Sequence, residues 1–321
     1  MVAIEGSSKV SVAVVVPVLN ASKEWPAFSS VLLDNLETAN ISRDHVLVID
    51  SSSNDETAEL VIASGFTLHT IARSEFNHGA TRQLGLDIMR EADVIVYLTQ
   101  DALLAEPTSI KKLLQSFADP LVAASYGRQL PKIGAGAIEA HARLFNYPEL
   151  PCTRNLDSRH DTGLKSIFLS NSFSAYRRSA LMSVGGFPEN VIFGEDTIVT
   201  GRFHLSGWKT VYLAEASVYH SHSYSFFQEF RRYFDVGVLH SRENWLLEEF
   251  GGPTGEAKKF VLSELRYLWN HNCLQIPSAI MRTGLKILAY RLGRNERRIG
   301  LRLTRRLTMN KGYWKPLSPS I

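Results

Sequence analysis

Short, largely β-branched apolar runs alternate, along the first half of the chain, with longer stretches whose apolar residues recur at helical spacing. The runs cover residues 12–16, 46–49 and, after a more polar third strand at 67–71, Val94–Leu98 as the fourth. Unbroken runs of this kind fit strands buried on both faces of a parallel sheet. Between the first two, Trp25–Ala39 carries Phe28, Val31, Leu32 and Leu36 on one helical side. After the second, Ser53 and Glu56 have capping-box spacing, Leu60, Val61 and Ile62 continue a helix, and Gly65 ends it. Leu84, Ile88 and Met89 mark a third helix, which leads into the fourth run. Repeated strand–helix units predict an α/β fold with a doubly wound, mostly parallel sheet.

Beyond a further strand at 121–126 the pattern loosens. Gly134, Gly136, Pro148, Pro151 and the polar stretch 154–163 read as a mobile loop. Periodicity returns with a helix carrying Ile198, Val199 and Phe203, stopped by Gly207, then two strands at 209–213 and 217–219. Phe226, Phe227, Phe230, Tyr233 and Phe234 form an aromatic stripe at helical spacing, expected to pack into a core. Near the end, Ile280, Leu285, Ile287, Leu288, Leu292, Ile299, Leu301, Leu303 and Leu307 are interleaved with arginines.

Charge and composition change this picture in three places. The formal net charge is +3, yet residues 282–315 hold eleven Lys or Arg and one acid, so the remainder is acidic. A basic amphipathic segment suits a solvated helical face, a nucleic-acid patch or an anionic membrane surface. The two cysteines, Cys152 and Cys273, are far apart, which excludes a disulfide framework and a clustered zinc site and fits a reducing compartment. The first nine residues lack a basic n-region, residues 10–19 are broken by Pro17, and no apolar stretch nears the length of a membrane span. The expectation is a soluble or peripheral protein.

The predicted strands end in polar groups: Asn20 after the first, Asp50 at the end of the second, and Thr99, Gln100 and Asp101 after the fourth. In open α/β sheets that edge collects ligands, although an Asp there serves equally as a cap for the next turn. Arg82 lies in the first turn of its helix, near Gly79, where a guanidinium and free N–H groups can address one anion, a diphosphate for example. Glu195 and Asp196 open a helix after Gly194, where capping and general-base chemistry are both open. His220 and His222 project to the same side of an extended chain, toward Asp101 or toward solvent. No G-x-G-x-x-G follows the first strand and no G-x-x-x-x-G-K-[ST] occurs, which argues against a dehydrogenase or an ATPase.

Taken in order, VAVVVPVLN, VLVIDSSSNDET, FNHGATRQLG, YLTQDA, SNSFSAYRRSALMSVGGFPE, FGEDT and VYHSHSYS resemble the inverting family-two glycosyltransferases. Within that family, FNHGATR and TQDA are most similar to bacterial rhamnosyltransferases of O-antigen and capsule assembly. The resemblance implies a GT-A fold, a Rossmann-like mixed sheet, with a catalytic domain over 1–240 and a basic helical extension over 241–321. It implies that Pro17, Asn20, Asp50 and Ser52 hold the nucleoside, with His78, Arg82, Gln100 and Asp101 completing the donor site and Arg82 on the diphosphate. Asp101 matches the last aspartate of the D-x-D signature, whose first position is Thr99 here. A divalent cation, Mg²⁺ or Mn²⁺, is implied at Asp101 with His220 or His222. Asp196 matches the catalytic base, and Glu195 orients it or the acceptor. The implied donor is dTDP-L-rhamnose, with a UDP-hexose or another deoxysugar nucleotide as alternatives. The implied acceptor is a saccharide or a lipid-linked saccharide, at the cytoplasmic face of the membrane and with no nucleic-acid partner. A sugar-phosphate nucleotidyltransferase is the reading from a different class, but VPVLNASKEW is not its Gly-rich phosphate loop. Linkage and oligomeric state are not legible.

Overall fold

The structure, a computed structural model, describes Val2 and residues 10–314. Apart from Val2, the N-terminal expectation over residues 1–9 lies outside the described residues, as does Lys315 at the end of the basic stretch.

The first half follows the predicted alternation: β1 (Val12–Val18), α1 (Trp25–Ala39), β2 (Val46–Asp50), α2 (Thr57–Ala63), β3 (Thr67–Thr70), α3 (His78–Ile88) and β4 (Val94–Leu98). β1, β2, β3 and β4 are parallel, in the order β3-β2-β1-β4. Every residue of β2 and β4 is buried, at about 1.5–3 kcal/mol for each large apolar side chain. Both faces are covered because alternate residues serve different layers. Val12, Val14, Val16 and Val18 pack with Trp25, Phe28 and Leu32 of α1, whereas Ala13 and Val15 pack with Leu86 and Tyr97 on the other side.

The second half turns the sheet mixed. It contains β5 (Leu103–Leu104), α4 (Ser109–Leu114), β6 (Val122–Leu130), α5 (Ala137–Asn146), β7 (Cys152–Arg154), α6 (Arg159–Thr162), β8 (Phe173–Arg177), α7 (Arg178–Ser183), α8 (Glu195–Leu205) and β9 (Lys209–Tyr219). β8 is antiparallel to both β4 and β6. β9 runs parallel to β6 and takes β5 and β7 as antiparallel partners, closing a sheet of nine strands among the described residues.

Three expectations are corrected here. The stretch read as a mobile loop holds α5, β7 and α6, with β7 paired to β9 through Cys152 and Tyr212. The two strands expected at 209–213 and 217–219 are one strand with an irregularity opposite Gly127 and Arg128. The Ser53/Glu56 capping box does not form: α2 starts at Thr57, and the Ser53 hydroxyl donates to Asp50 while accepting from the Asn20 N–H.

The C-terminal helices are α9 (Phe226–Arg242), which crosses the expected boundary at 240, and α10 (Trp245–Phe250), α11 (Thr254–His271), α12 (Ile276–Arg294) and α13 (Leu301–Leu307). α9 and α12 meet backbone to backbone. A Cβ on Gly237 would lie 2.3 Å from the Tyr290 carbonyl oxygen, and one on Gly293 would lie 2.0 Å from that of Phe234. Phe234 and Val238 join Ile167, Ile198, Leu246 and Ala289 in a third core that fastens the extension beneath α8. The aromatic stripe is therefore core only in part: Phe234 is buried, while Phe227 is over half exposed beneath the Arg231 guanidinium.

Candidate functional site

Ala102 is fully buried, so the chain leaving β4 turns back at Thr99–Ala102 and pairs β5 with the end of β9, Leu103 opposite Tyr219. That pairing sets Asp101 against the residues that follow β9. His220 Nε2 lies 3.3 Å and His222 Nε2 3.7 Å from Asp101 Oδ2. Alternation does put both imidazoles on one side, and that side is Asp101's. One ligand atom from each of the three lies within 4.8 Å of the others. Burial works against charge on Asp101, but the neighbouring imidazoles, His220 ahead of His222, hold its carboxyl well below the usual range. Burial first, then His220, pushes His222 down to about 4, leaving a neutral imidazole at neutral pH.

A second cluster forms where α8 begins. Gly194 adopts φ +78°, so its conformation favours glycine, and a Cβ there would also push on Leu239 Cδ2 at 2.6 Å. The following Glu195 is buried in an ion pair with Arg82, NH1 to Oε1 2.9 Å, and accepts from Asn171 Nδ2 at 2.9 Å. Burial opposes its charge, yet Arg82 and His78 hold its pKa down. Asp196 accepts from the Thr197 N–H at 2.8 Å and the Asn171 N–H at 3.3 Å. Burial, reinforced by the Glu195 charge and opposed by Arg82, pushes Asp196 up to about 7. Burial likewise lowers His78.

The two clusters share one turn. The Asn171 backbone holds Asp196, the Ser170 hydroxyl accepts from Gln129 Nε2 at 2.9 Å, and the Ser172 carbonyl accepts from the Thr99 N–H at 3.3 Å. Gln129 in turn accepts from His220 Nδ1 at 2.9 Å. Antiparallel pairing of β8 with β4 produces this meeting, because it sets the entry of one strand beside the exit of the other.

Residues at the ends of β1 and β2 make a third group. Asp50 is buried and accepts from the Ser53 N–H and hydroxyl. Asn20 and Ser52 are exposed and left-handed, at φ 50° and 56°. Asn20 Oδ1 accepts from the Asn54 N–H, and the Ser52 hydroxyl donates to the Ile71 carbonyl. Pro17 lies in β1 opposite Ile49. Gln100 grips the Leu19 peptide from both sides, accepting from its N–H and donating to its carbonyl. Arg82 is not joined to the Asp101 cluster by any hydrogen bond or ion pair among the described residues. Its NH1 serves Glu195 and the His78 carbonyl. Gln129 and Asn171 are not marked out by the sequence, although Asn171 stands within SNSFSAYRRS.

The chain matches the model of the "glycosyltransferase like family 2" over residues 9–234. It is 40% identical to the O-antigen chain rhamnosyltransferase RfbN of Salmonella typhimurium, over 96% of this chain and 98% of that one. It is 41% identical to the O-antigen chain rhamnosyltransferase WbaN of Salmonella anatum, over 86% and 87% respectively. Among solved structures, a mannosyltransferase of Pyrobaculum calidifontis in complex with GDP-Man and Mn²⁺ aligns at TM-score 0.54 and 19% identity, over 98% of this chain and 87% of that one. TarS of S. aureus aligns at TM-score 0.53 and 15% identity, over 89% and 55%. Those two likenesses carry the GT-A fold, a curled mixed sheet with helices following it. The sequence relatives carry more: this chain belongs to the family-two glycosyltransferases.

Proposed function

We propose that the protein is an inverting rhamnosyltransferase, moving L-rhamnose from dTDP-L-rhamnose to a polysaccharide or lipid-linked oligosaccharide acceptor. The sugar follows the two O-antigen rhamnosyltransferases at 40% and 41% identity. The mechanism rests on one observation, the Ser170–Asn171–Ser172 turn that ties the Asp101 cluster to the acidic pair.

A carboxylate oxygen and two imidazole nitrogens within 4.8 Å of one another make a donor set that a divalent cation accepts. Asp101, His220 and His222 would hold Mg²⁺ or Mn²⁺, which when bound neutralises charge building on the departing diphosphate. Asp50, Asn20 and Ser52, with Pro17 and Gln100 shaping the β1 loop, would hold the nucleoside, and His78 at the start of α3 would face the donor. Asp196 takes the proton of the acceptor hydroxyl. That oxygen bonds to the anomeric carbon as the bond from the carbon to the diphosphate breaks on the opposite face, so configuration inverts. Burial, reinforced by Glu195 that Arg82 keeps ionised, raises Asp196 toward neutral pH, where a base works best. Arg82 thus acts on the base in this reading, in place of the diphosphate role implied by sequence resemblance.

We assign this chemistry to a catalytic domain over residues 1–240, with residues 241–321 as a helical extension in which Leu246 and Ala289 pack with Ile198 of α8. The extension also presents an apolar and basic surface, which we assign to anionic lipid at the inner face of the membrane.

A thermal-shift panel of dTDP, UDP, GDP and CDP, each with Mn²⁺ or EDTA, tests the donor. A ligand at 100 times its dissociation constant adds about 2.7 kcal/mol. The expected result is the largest rise with dTDP and Mn²⁺, lost in EDTA and in Asp101→Ala. A larger rise with UDP overturns rhamnose as the sugar, and no rise with any nucleotide overturns the transferase mechanism proposed here.

A further inference from the structure

Gln129 lies near the end of β6, 2% exposed, and makes three hydrogen bonds at once. Its Oε1 accepts from Arg143 NH1 and from His220 Nδ1, and its Nε2 donates to the Ser170 hydroxyl. The roles are forced in sequence. Arginine has only donors, so the atom facing Arg143 is the amide oxygen. The same oxygen faces His220, so His220 Nδ1 carries a proton. The proton-free or exchangeable position of the ring is then Nε2, the edge 3.3 Å from Asp101. Without this acceptor, His220 is free to take the other tautomer, which presents an N–H to the cluster and cannot ligate a cation there.

We infer that Gln129 is a positioning residue that fixes His220 as an Nε2 ligand, with Arg143 fixing Gln129 in turn. The inference rests on the cation site proposed above. Arg143 is well suited to this task, since it forms no ion pair among the described residues and sits on α5, directly across from β6. Orienting partners of metal-ligating histidines are commonly worth 10- to 100-fold in metal affinity.

The test is Mn²⁺ titration followed by electron paramagnetic resonance on the full chain, comparing wild type, Gln129→Leu and Gln129→Glu. Gln129→Leu is expected to weaken Mn²⁺ about 10- to 100-fold. Gln129→Glu, which still accepts from both His220 and Arg143, is expected to bind within about threefold of wild type. Equal affinity in wild type and Gln129→Leu overturns the role of Gln129 while leaving the cation site standing. Absence of Mn²⁺ binding by wild type overturns the cation site and this role with it. Should Gln129→Leu fail to fold, ¹⁵N-histidine spectra of the wild-type Mg²⁺ form decide the matter, with His220 assigned by its loss in His220→Asn. An Nδ1–H signal for His220 is expected, and an Nε2–H tautomer overturns the inference.

Discussion

Asp196 is a half-buried carboxyl that accepts from the Asn171 and Thr197 N–H groups, with an ionised neighbour one residue away. Its ordinary pKa of 3.8 is raised to about 7 in the folded chain, which has two separable consequences. With Asp196 as the base proposed above, only its ionised form is active, so kcat/KM should rise with pH through about 7 and level above it. Stability should move the other way. The unfolded chain ionises this group from about pH 3.8 upward, so the cost of burying it grows until the folded group ionises near 7. Asp196→Asn should therefore lose about 10²- to 10⁴-fold in transfer rate, retain nucleotide binding, and lose less stability than wild type as pH rises from about 4 to 7, in a series run from pH 4 to 8. Rate profiles and melting curves across that range check both, and near-normal turnover of Asp196→Asn would remove it as the base. At this scale the sequence is legible where a residue's neighbours in space are its neighbours along the chain. Asp101 at the end of an apolar run and His220 beside His222 stand out. Arg82 cannot be paired from sequence, because Glu195 is reached only through the fold, and Gln129 lies past the strand read at 121–126, in the part of β6 that the sequence pattern does not mark.

Single elements owe their placement to a few close approaches. The contact of α9 with α12 depends on Gly237 and Gly293, whose missing side chains leave room for opposing carbonyls. Gly293→Ala should cost about 1–3 kcal/mol by overpacking, lowering the melting temperature by several degrees. Gly284, elsewhere on α12, has nothing within 4 Å of an added Cβ. Gly284→Ala should instead gain up to about 1 kcal/mol from helix propensity. Calorimetry of the two variants, one falling and one rising, separates close approach from propensity. Elements with strong internal periodicity, β1 to β4 and α1, are legible in the amino-acid sequence by itself. α5 and β7 are not, since Gly134, Gly136, Pro148 and Pro151 punctuate their surroundings, and β7 is held by pairing with β9 rather than by its own pattern. The failed capping box has the same origin: Ser53 is drawn away by Asp50 and Asn20, both brought near by the β1/β2 pairing.

Across the whole molecule charge is divided along the chain, net negative over residues 1–281 and net positive over residues 282–315. No helix among the described residues is long and apolar enough to cross a membrane. On α12, Ile280, Met281, Ile287 and Leu288 are each half or more exposed, in line with helical spacing, and Arg291 extends the row. α13 adds exposed Leu301 and Leu303 among Arg302, Arg305 and Arg306. Leu292, Ile299 and Leu307, which sequence pattern does not sort from these, face the third core instead. Basic residues near an anionic surface are worth about 1 kcal/mol each. The full chain should co-sediment with phosphatidylglycerol-rich vesicles, and a triple Ile280→Glu, Ile287→Glu, Leu288→Glu variant should lose at least about tenfold in binding. Undiminished binding by the triple variant would exclude this face.

The pairing of Leu98 with Phe173 has a wider meaning for the chain as a machine part. It acts as an alignment pin between two tools made far apart. Loops between β4 and β8 that carry no site residue can vary in length without moving Asp101 against the acidic pair, provided the pin, β5, β6 and Gln129 keep their places. A slip of one residue at that pin turns each side chain to the opposite face and parts the Asn171 turn from Thr99. The tolerance of the site is thus generous along the intervening loops and close to zero across three residues, 171–173.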